Sequence, residues 1–171
     1  KTISHSVDRM NNLLKKLRRD ESDLVKCLNM TEIVEQAVAE CSRNNPQLTS
    51  SIAQANHTLN ADQVRLVMTI TNFIKNALEA TPSGGRVHVT LVYVDDRAVI
   101  NIEDNGSGMD WDFIHNRLFK PFETTKSGKG MGIGVYLSRE YISELGGALN
   151  VMSEVGEGTT ITISLPLNTM D

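Results

Sequence analysis

The sequence predicts an α+β fold, a two-layer α/β sandwich of a mixed sheet with helices on one face, preceded by one further helix. Besides the segment of that further helix, two segments of the first half repeat apolar residues with the period of a helix, and the second half is rich in strand patterns. The 12 glycines all lie between Gly84 and Gly158, which indicates that shaped loops are concentrated in the second half. With 171 residues, 40% of them apolar, the chain suffices for one domain and a short appendage.

The further helix is predicted over residues 1 to about 20. Apolar residues recur there at intervals of four and three and so share one seam: Ile3, Val7, Met10, Leu14 and Leu17. Because an isolated helix of this length is marginal in water, the seam requires a partner helix that the chain does not obviously contain. We therefore expect a domain boundary at residue 23, with the main domain over residues 24–171.

The main domain opens with a predicted strand over residues 24–30. Thr31 is the expected N-cap of the helix that follows, and Asn45-Pro46 ends it. The expected buried face of this helix consists of Ile33, Ala37 and Cys41, flanked by Val34 and Val38.

Residues 48–59 are predicted to hold one or two strands. Asp62 is the expected cap of a second, stronger helix that runs to Ala80, and the Pro-Ser-Gly-Gly sequence at 82–85 stops it.

The second half is predicted to contain two hairpins and two helices. The first hairpin joins residues 86–94 to 98–103 through Asp95-Asp96. The remaining segments are a short helix at 111–118, a longer helix at 135–145, and a hairpin of 148–152 with 160–165.

Composition excludes several classes of function. The net charge is −4 and no basic stripe crosses the domain, so nucleic acid is not an expected partner. The sequence has no apolar run of the ~20 residues that cross a bilayer and no signal-peptide pattern. Cys27 and Cys41, the only cysteines, are expected to be reduced thiols of an intracellular protein. The chain opens on Lys1, which suggests a fragment of a longer protein.

Two amides lie four residues apart on the second predicted helix. Asn72 and Asn76 therefore share one edge of it, beside Lys75. An amide oxygen is a suitable ligand for Mg²⁺, and a lysine suits phosphate. Taken alone, the motif is also compatible with a solvated helix face.

Asp104 directly follows a predicted apolar strand. Such a strand would hold its carboxylate in place while Gly106 and Gly108 bend the backbone away and leave room for a ligand. A simple turn at the strand end is the alternative.

A glycine-rich segment, residues 128–134, precedes the longer helix of the second half. Backbone amides at such a helix N-terminus can cradle phosphate, and the glycines allow the segment to act as a lid. A flexible loop without a ligand is the alternative. The segment is neither a P-loop, since Gly130 follows Lys129, nor a Rossmann motif, whose third glycine is replaced by Ile133 or Val135.

Five segments occur in a characteristic order: 72–77, 104–108, 119–122, 128–134 and 156–159. This order resembles the N box, first G box, F box and two later G boxes of the sensor histidine kinase catalytic domain. That domain belongs to the ATPase superfamily shared with gyrase, the ninety-kilodalton heat-shock chaperones and MutL. The resemblance covers roughly residues 24–167.

The resemblance implies a role for each matching residue. Asn76 resembles the Mg²⁺ ligand, with Asn72 and Lys75 nearby at the phosphates as catalytic residues. Asp104 resembles the carboxylate that accepts a hydrogen bond from the adenine amino group. The other implied ATP-binding residues are Gly106, Gly108 and Thr159 at the base, and Lys126, Gly128, Gly130, Met131 and Gly132 in the lid. Phe119 and Phe122 resemble the hydrophobic anchors of that lid.

Two departures from the family pattern bear on the activity. Gyrase-like members carry a water-activating glutamate where this chain has Asn72, which favours phosphotransfer over hydrolysis. The aromatic residue that many histidine kinases carry at the end of the N box is absent, since Ala80 and Thr81 follow Glu79. His5 fits the family's acceptor pattern poorly, so the acceptor histidine is expected outside this sequence.

The resemblance implies the ATP-dependent catalytic domain of a protein-histidine kinase in a two-component system, with ATP and Mg²⁺ as cofactors. Residues 1–23 would then be the C-terminal part of a dimerisation hairpin, and the partners would be the acceptor histidine hairpin and a response regulator. The whole protein is expected to be a homodimer at the inner membrane of a bacterium, with this domain in the cytoplasm. A protein serine kinase of the same superfamily and a non-catalytic ATP-responsive module remain as alternatives.

Overall fold

The computed structural model describes residues 24–122 and 132–168, and the predicted helix over residues 1–20 lies outside them. In the described ranges the chain forms seven strands and four helices. The strands are β1 (Val25–Asn29), β2 (Leu48–Ile52), β3 (Thr58–Asp62), β4 (Val87–Val94), β5 (Arg97–Asp104), β6 (Ala148–Glu154) and β7 (Gly158–Pro166). The helices are α1 (Met30–Ser42), α2 (Gln63–Ala80), α3 (Trp111–Asn116) and α4 (Gly134–Glu144).

Five strands form a mixed sheet in the order β2-β4-β5-β7-β6. Strand β2 runs parallel to β4, and the other neighbours are antiparallel. Strands β1 and β3 form a separate antiparallel pair. The predicted mixed sheet and both predicted hairpins are therefore confirmed. The first hairpin turns at Asp95 and Asp96, whose φ angles of 45° and 57° are those of a two-residue turn that suits the strand twist.

The core lies between one face of the sheet and helices α1, α2 and α4, as predicted. Its sheet side consists of alternate residues of the central strands, among them Val87, Val89, Leu91, Ile100, Ile102, Ile161 and Ile163, all of which are buried. The predicted apolar face of α1 is confirmed, since its five members are also buried. Each fully buried Val, Leu or Ile side chain contributes about 1.5–3 kcal/mol to the free energy of unfolding.

The predicted N-cap of α1 is wrong by two residues. Asn29 caps the helix, and its Oδ1 accepts hydrogen bonds from the backbone N–H groups of Thr31 at 2.9 Å and Glu32 at 3.3 Å. The Thr31 hydroxyl is buried and donates instead to the carbonyl oxygen of Ala53 at 2.9 Å. Asparagine and threonine are both good caps, and the strand β1 carries Asn29 to the position where the helix begins.

Helix α2, which carries the two amides, begins and ends as predicted. Asp62 is its N-cap and accepts a hydrogen bond from the backbone N–H of Arg65 at 3.1 Å, and Thr81 is its C-cap.

Among the described residues, no helix has both the length and the apolar character needed to cross a membrane.

Candidate functional site

A row of polar side chains crosses the end of the sheet at the C-terminus of β5. Asp104 is the register partner of Thr159 on β7, and Thr159 is in turn the partner of Ser153 on β6. Directly opposed residues face the same side of a sheet, and side chains alternate along each strand. The three polar residues therefore lie on the same face as the buried Ile102 and Ile161, two positions away. The apolar core ends at this row, and a polar site begins.

Backbone groups hold the Asp104 carboxyl in one orientation. The N–H of Gly106 donates to its Oδ1 at 2.8 Å, and the N–H of Thr159 also donates to the carboxyl. Partial burial raises the pKa of Asp104 above its ordinary value, and these two hydrogen bonds lower it by a smaller amount. The result is an oriented hydrogen-bond acceptor at the edge of the core.

The loop after Asp104 packs tightly against its neighbours. A Cβ atom on Gly106 would collide with the carbonyl group of Ala80, at the C-terminus of α2. The backbone N–H of Ser107 donates to that same carbonyl oxygen at 3.1 Å. The loop therefore ties the end of β5 to the end of the helix that carries Asn72 and Asn76.

The turn between β6 and β7 closes the other side of this loop. Gly108 has a φ of +64°, and a Cβ on it would collide with the carbonyl oxygen of Glu154. Gly158 has a φ of +120°, and a Cβ on it would collide with the carbonyl oxygen of Asp104. At both positions only glycine meets the conformational and the steric requirement.

Ser153 is a site residue that the sequence analysis missed. Its hydroxyl lies 2.8 Å from the backbone nitrogen of Met109, 2.9 Å from the carbonyl oxygen of Gly158 and 2.8 Å from Oγ1 of Thr159. The available signal was its period-two spacing: Leu149 and Val151 precede it at inward positions of β6, and both pack against the core. A serine at the next inward position indicates that the core face becomes polar there.

Helix α2 presents Asn72 to the helix that follows the glycine-rich segment. The Nδ2 of Asn72 donates to Oγ of Ser138 on α4 at 3.2 Å, and Ser138 is only 2% exposed. Gly134, the first residue of α4, is close enough that a Cβ on it would lie 3.6 Å from the same Nδ2. The amide therefore fixes the start of α4 relative to α2.

Asn76 is half-buried one turn further along α2, and Lys75 is exposed. Burial raises the pKa of the Cys41 thiol on α1, and the positive charge of Lys75 offsets a smaller part of that increase.

The described residues that flank positions 123–131 contact each other. The backbone N–H of Phe122 donates to the carbonyl oxygen of Gly132 at 3.0 Å. The guanidinium of Arg139 on α4 lies 4.6 Å from the centre of the Phe119 ring. Four of the predicted site residues lie outside the described residues and remain predictions: Lys126, Gly128, Gly130 and Met131.

The chain resembles known proteins both in sequence and in fold. The family described as histidine kinase-, DNA gyrase B-, and HSP90-like ATPase matches residues 61–169. Sporulation kinase D of Bacillus subtilis (strain 168) is 37% identical over 99 residues, which cover 58% of this chain and 19% of that protein. Over the curated relatives compared, the chain spans from 18% to 45% of their length.

Two solved structures share the fold. The mycobacterial sensor histidine kinase MprB has a TM-score of 0.73 and 26% sequence identity, covering 85% of this chain and 99% of the solved one. ShkA, solved at full length in complex with AMPPNP, has a TM-score of 0.73 and 24% identity, covering 85% of this chain and 32% of the solved one. The family match takes in both the amide-bearing helix and the polar row at the end of the sheet. The chain therefore belongs to the histidine kinase-, DNA gyrase B- and HSP90-like ATPase family, and its catalytic domain is of the sensor histidine kinase type.

Proposed function

We propose that this chain binds Mg-ATP and transfers the γ-phosphoryl group to a histidine on a helical hairpin outside this sequence. The observation that carries the proposal is the oriented Asp104 carboxyl at the end of β5, tied through the Ser107–Ala80 hydrogen bond to the helix bearing Asn72 and Asn76. A nucleotide whose base is held at Asp104 would direct its phosphates toward Asn72 and Asn76. The family membership supports this assignment.

The base would be held at the polar row. Asp104 accepts the hydrogen bond from the 6-amino group of adenine, with the Thr159 hydroxyl beside it. The close packing of Gly106, Gly108 and Gly158 against backbone carbonyl groups holds the loop after Asp104 in place beside the carboxyl. ShkA, which has a similar fold, was solved in complex with AMPPNP, and this supports nucleotide binding by a domain of this fold.

The phosphates would lie along α2 and the segment before α4. Within the described residues, no group of three or more His, Cys, Asp or Glu side chains is arranged to hold a metal. Mg²⁺ suits such a site, because it keeps several waters and is commonly held by few protein oxygens together with substrate phosphates. The amide oxygen of Asn76 is the proposed protein ligand, and the ion would neutralise phosphate charge. Lys75, Asn72, Lys126 and the glycines 128, 130 and 132, with Met131, are the proposed phosphate and lid contacts.

The residues of this site favour transfer to a protein side chain over hydrolysis. An amide such as Asn72 cannot take a proton from water, and its Nδ2 donates to Ser138. The contribution of the protein is then the alignment of the phosphoryl group with an incoming nucleophile and the neutralisation of charge.

The partners belong to the same proposal. Residues 1–23 would be the end of the dimerisation hairpin, and the acceptor histidine would pass its phosphoryl group to a response-regulator aspartate. The full-length protein would be a homodimer at the bacterial inner membrane with this domain in the cytoplasm.

The experiment that tests the proposal uses γ-labelled ATP, the purified chain and the separately produced hairpin of the same full-length protein. We expect Mg²⁺-dependent label on the hairpin that is lost in acid and stable in base, as for phosphohistidine, with Asp104→Asn as the inactive control. Acid-stable label on serine would instead support a protein serine kinase. Tight ATP binding without any transfer would support a non-catalytic module.

A further inference from the structure

The hydroxyl of Ser153 has more partners than it has protons. The backbone N–H of Met109 can only donate, so Ser153 Oγ accepts that hydrogen bond at 2.8 Å. The carbonyl oxygen of Gly158 can only accept, so Ser153 donates its single proton to it at 2.9 Å. One lone pair of Ser153 Oγ then remains for the third partner.

The third partner is the hydroxyl of Thr159, with the two oxygens 2.8 Å apart. Because the proton of Ser153 is committed to Gly158, the proton of this hydrogen bond must come from Thr159. The Thr159 hydroxyl is therefore left with lone pairs only, and it can accept a hydrogen bond from a ligand but not donate one.

Thr159 stands beside Asp104 in the polar row, since the two are register partners on neighbouring strands. The carboxylate of Asp104 also accepts. A ligand group placed against both side chains must therefore supply protons, as the exocyclic amine of a 6-aminopurine does. A 6-oxopurine would present a carbonyl oxygen to two acceptors.

We propose that Ser153 is a positioning residue that fixes the direction of the Thr159 hydroxyl and so makes the site select a 6-aminopurine over a 6-oxopurine. This inference rests on the proposed function, because it takes the base to lie over Asp104 and Thr159. Ser153 acts through Thr159 and does not itself touch the base.

Binding of ATP and of inosine 5′-triphosphate to the purified chain tests the proposal. The second nucleotide differs at purine position 6, where a carbonyl replaces the amine, and its ring N1 is protonated. We expect the wild-type chain to prefer ATP by about a hundredfold or more, because mismatched buried polar groups discriminate strongly. In Ser153→Ala the Thr159 hydroxyl is free to turn and donate, so the preference should fall by about tenfold, the value of one hydrogen bond. Ser153→Thr keeps a hydroxyl and should keep the preference.

A double-mutant cycle separates positioning from general support of the fold. Thr159→Val removes the hydroxyl that Ser153 orients, so adding Ser153→Ala to it should leave the ratio of the two affinities unchanged. The proposal is overturned if Ser153→Ala lowers the affinities for ATP and for inosine 5′-triphosphate by the same factor. It is also overturned if Ser153→Ala reduces the ratio of these affinities as much in the Thr159→Val background as in the wild type. If Ser153→Ala does not fold, Thr159→Val alone must still narrow the ratio.

The wild-type measurements distinguish this inference from the function it rests on. Equal affinity for the two nucleotides would overturn the inference and leave ATP binding standing. Binding of neither nucleotide would overturn both.

Discussion

Burial of Asp104 has a cost in stability that its hydrogen bonds only partly offset. The pKa of this carboxyl is raised because burial removes solvation from its ionised form. Hydrogen bonds from the N–H groups of Gly106 and Thr159 stabilise the ionised form again, but by a smaller amount. A residue kept in this condition is better explained by ligand binding than by support of the fold, since a neutral side chain of the same shape would fit the site at a lower cost.

Asp104→Asn should therefore leave the fold at least as stable at neutral pH. The amide oxygen can still accept from Gly106, and the charge is gone. Because the folded-state pKa is raised, ionisation lowers the stability of the wild type as pH rises from below 3.8, the ordinary value, through the folded pKa. Urea unfolding at several pH values should show that the free energy of unfolding of Asp104→Asn increases relative to that of the wild type as pH rises through the folded-state pKa of Asp104, by an amount that solvent screening reduces because the carboxyl is only half-buried. A variant that is less stable by several kcal/mol at pH 7 would mean that the carboxylate supports the fold.

Gly156 and Gly158, in the turn between β6 and β7, differ in the space around them, and substitution of each by alanine gives a matched pair of variants. A Cβ at Gly158 would meet the backbone of Asp104, whereas a Cβ at Gly156 would meet nothing within 4 Å, although its φ is also positive at +86°. Gly156→Ala should cost about 1–2 kcal/mol, the strain of a left-handed conformation alone. Gly158→Ala should cost more than about 3 kcal/mol, since it adds a collision with the backbone. Thermal unfolding compares the two, and equal losses would contradict the packing described for Gly158.

At the scale of elements, helix α4 is attached to α2 at two places. Near its start, Ser138 accepts from Asn72. Near its end, the Tyr141 hydroxyl accepts from the backbone N–H of Asp62 at 2.9 Å, and the Arg65 guanidinium lies 4.0 Å from the centre of the Tyr141 ring. Arg65 also forms an ion pair with Glu144 at 2.9 Å. These contacts fix the position of α4 against α2.

Tyr141→Phe should destabilise the domain by about 1–2 kcal/mol, because the N–H of Asp62, at the cap of α2, loses its acceptor. Tyr136→Phe is the control, since the Tyr136 hydroxyl has no hydrogen bond with the part of the chain that the structure describes. Chemical denaturation of both variants measures the difference. Equal effects would show that the Tyr141 hydroxyl does not hold α2 and α4 together.

Local sequence patterns predicted most elements, because helices and hairpins are set by short-range periodicity and turn residues. Helix α2 from Asp62 to Ala80 and the turn at Asp95-Asp96 are examples. The parallel pairing of β2 with β4 and the separate β1–β3 sheet were not predicted, since pairing between distant segments leaves no local signal. The cap of α1 was misplaced because Asn29 and Thr31 compete for one role within three residues.

The candidate site was predicted in the same uneven way. Asp104, Gly106 and Gly108 were singled out because a strand end and a glycine-rich turn mark them in the sequence, whereas Thr159 was added only because the resemblance to the histidine kinase domain implied it. Ser153 and Ser138 were not found, since a single serine in an amphipathic strand or helix resembles any surface serine until its neighbours in space are known. Their roles depend on contacts across 6 and 66 positions of the chain, with Thr159 and Asn72 respectively.

At the scale of the whole molecule, the fold joins two sets of residues that are distant in sequence. The amide-bearing helix comes from the first half and the polar row from the second, and the hydrogen bond from Ser107 to Ala80 connects them. The central claim is that these two sets bind the two ends of one Mg-nucleotide complex.

Calorimetric titration of ATP, with Mg²⁺ and with a chelator, tests that claim most directly in the wild type, Asp104→Asn and Asn76→Ala. Asp104→Asn removes the contact with the base. Its affinity for ATP should be lower than that of the wild type by about a hundredfold or more, both with Mg²⁺ and with the chelator, as expected when a charged hydrogen-bond partner is removed. Asn76→Ala should lower the affinity for ATP by about tenfold or more when Mg²⁺ is present. With the chelator, its affinity for ATP should equal that of the wild type, because the proposed partner of Asn76 is the metal. An affinity of Asn76→Ala for Mg-ATP equal to that of the wild type would contradict the account.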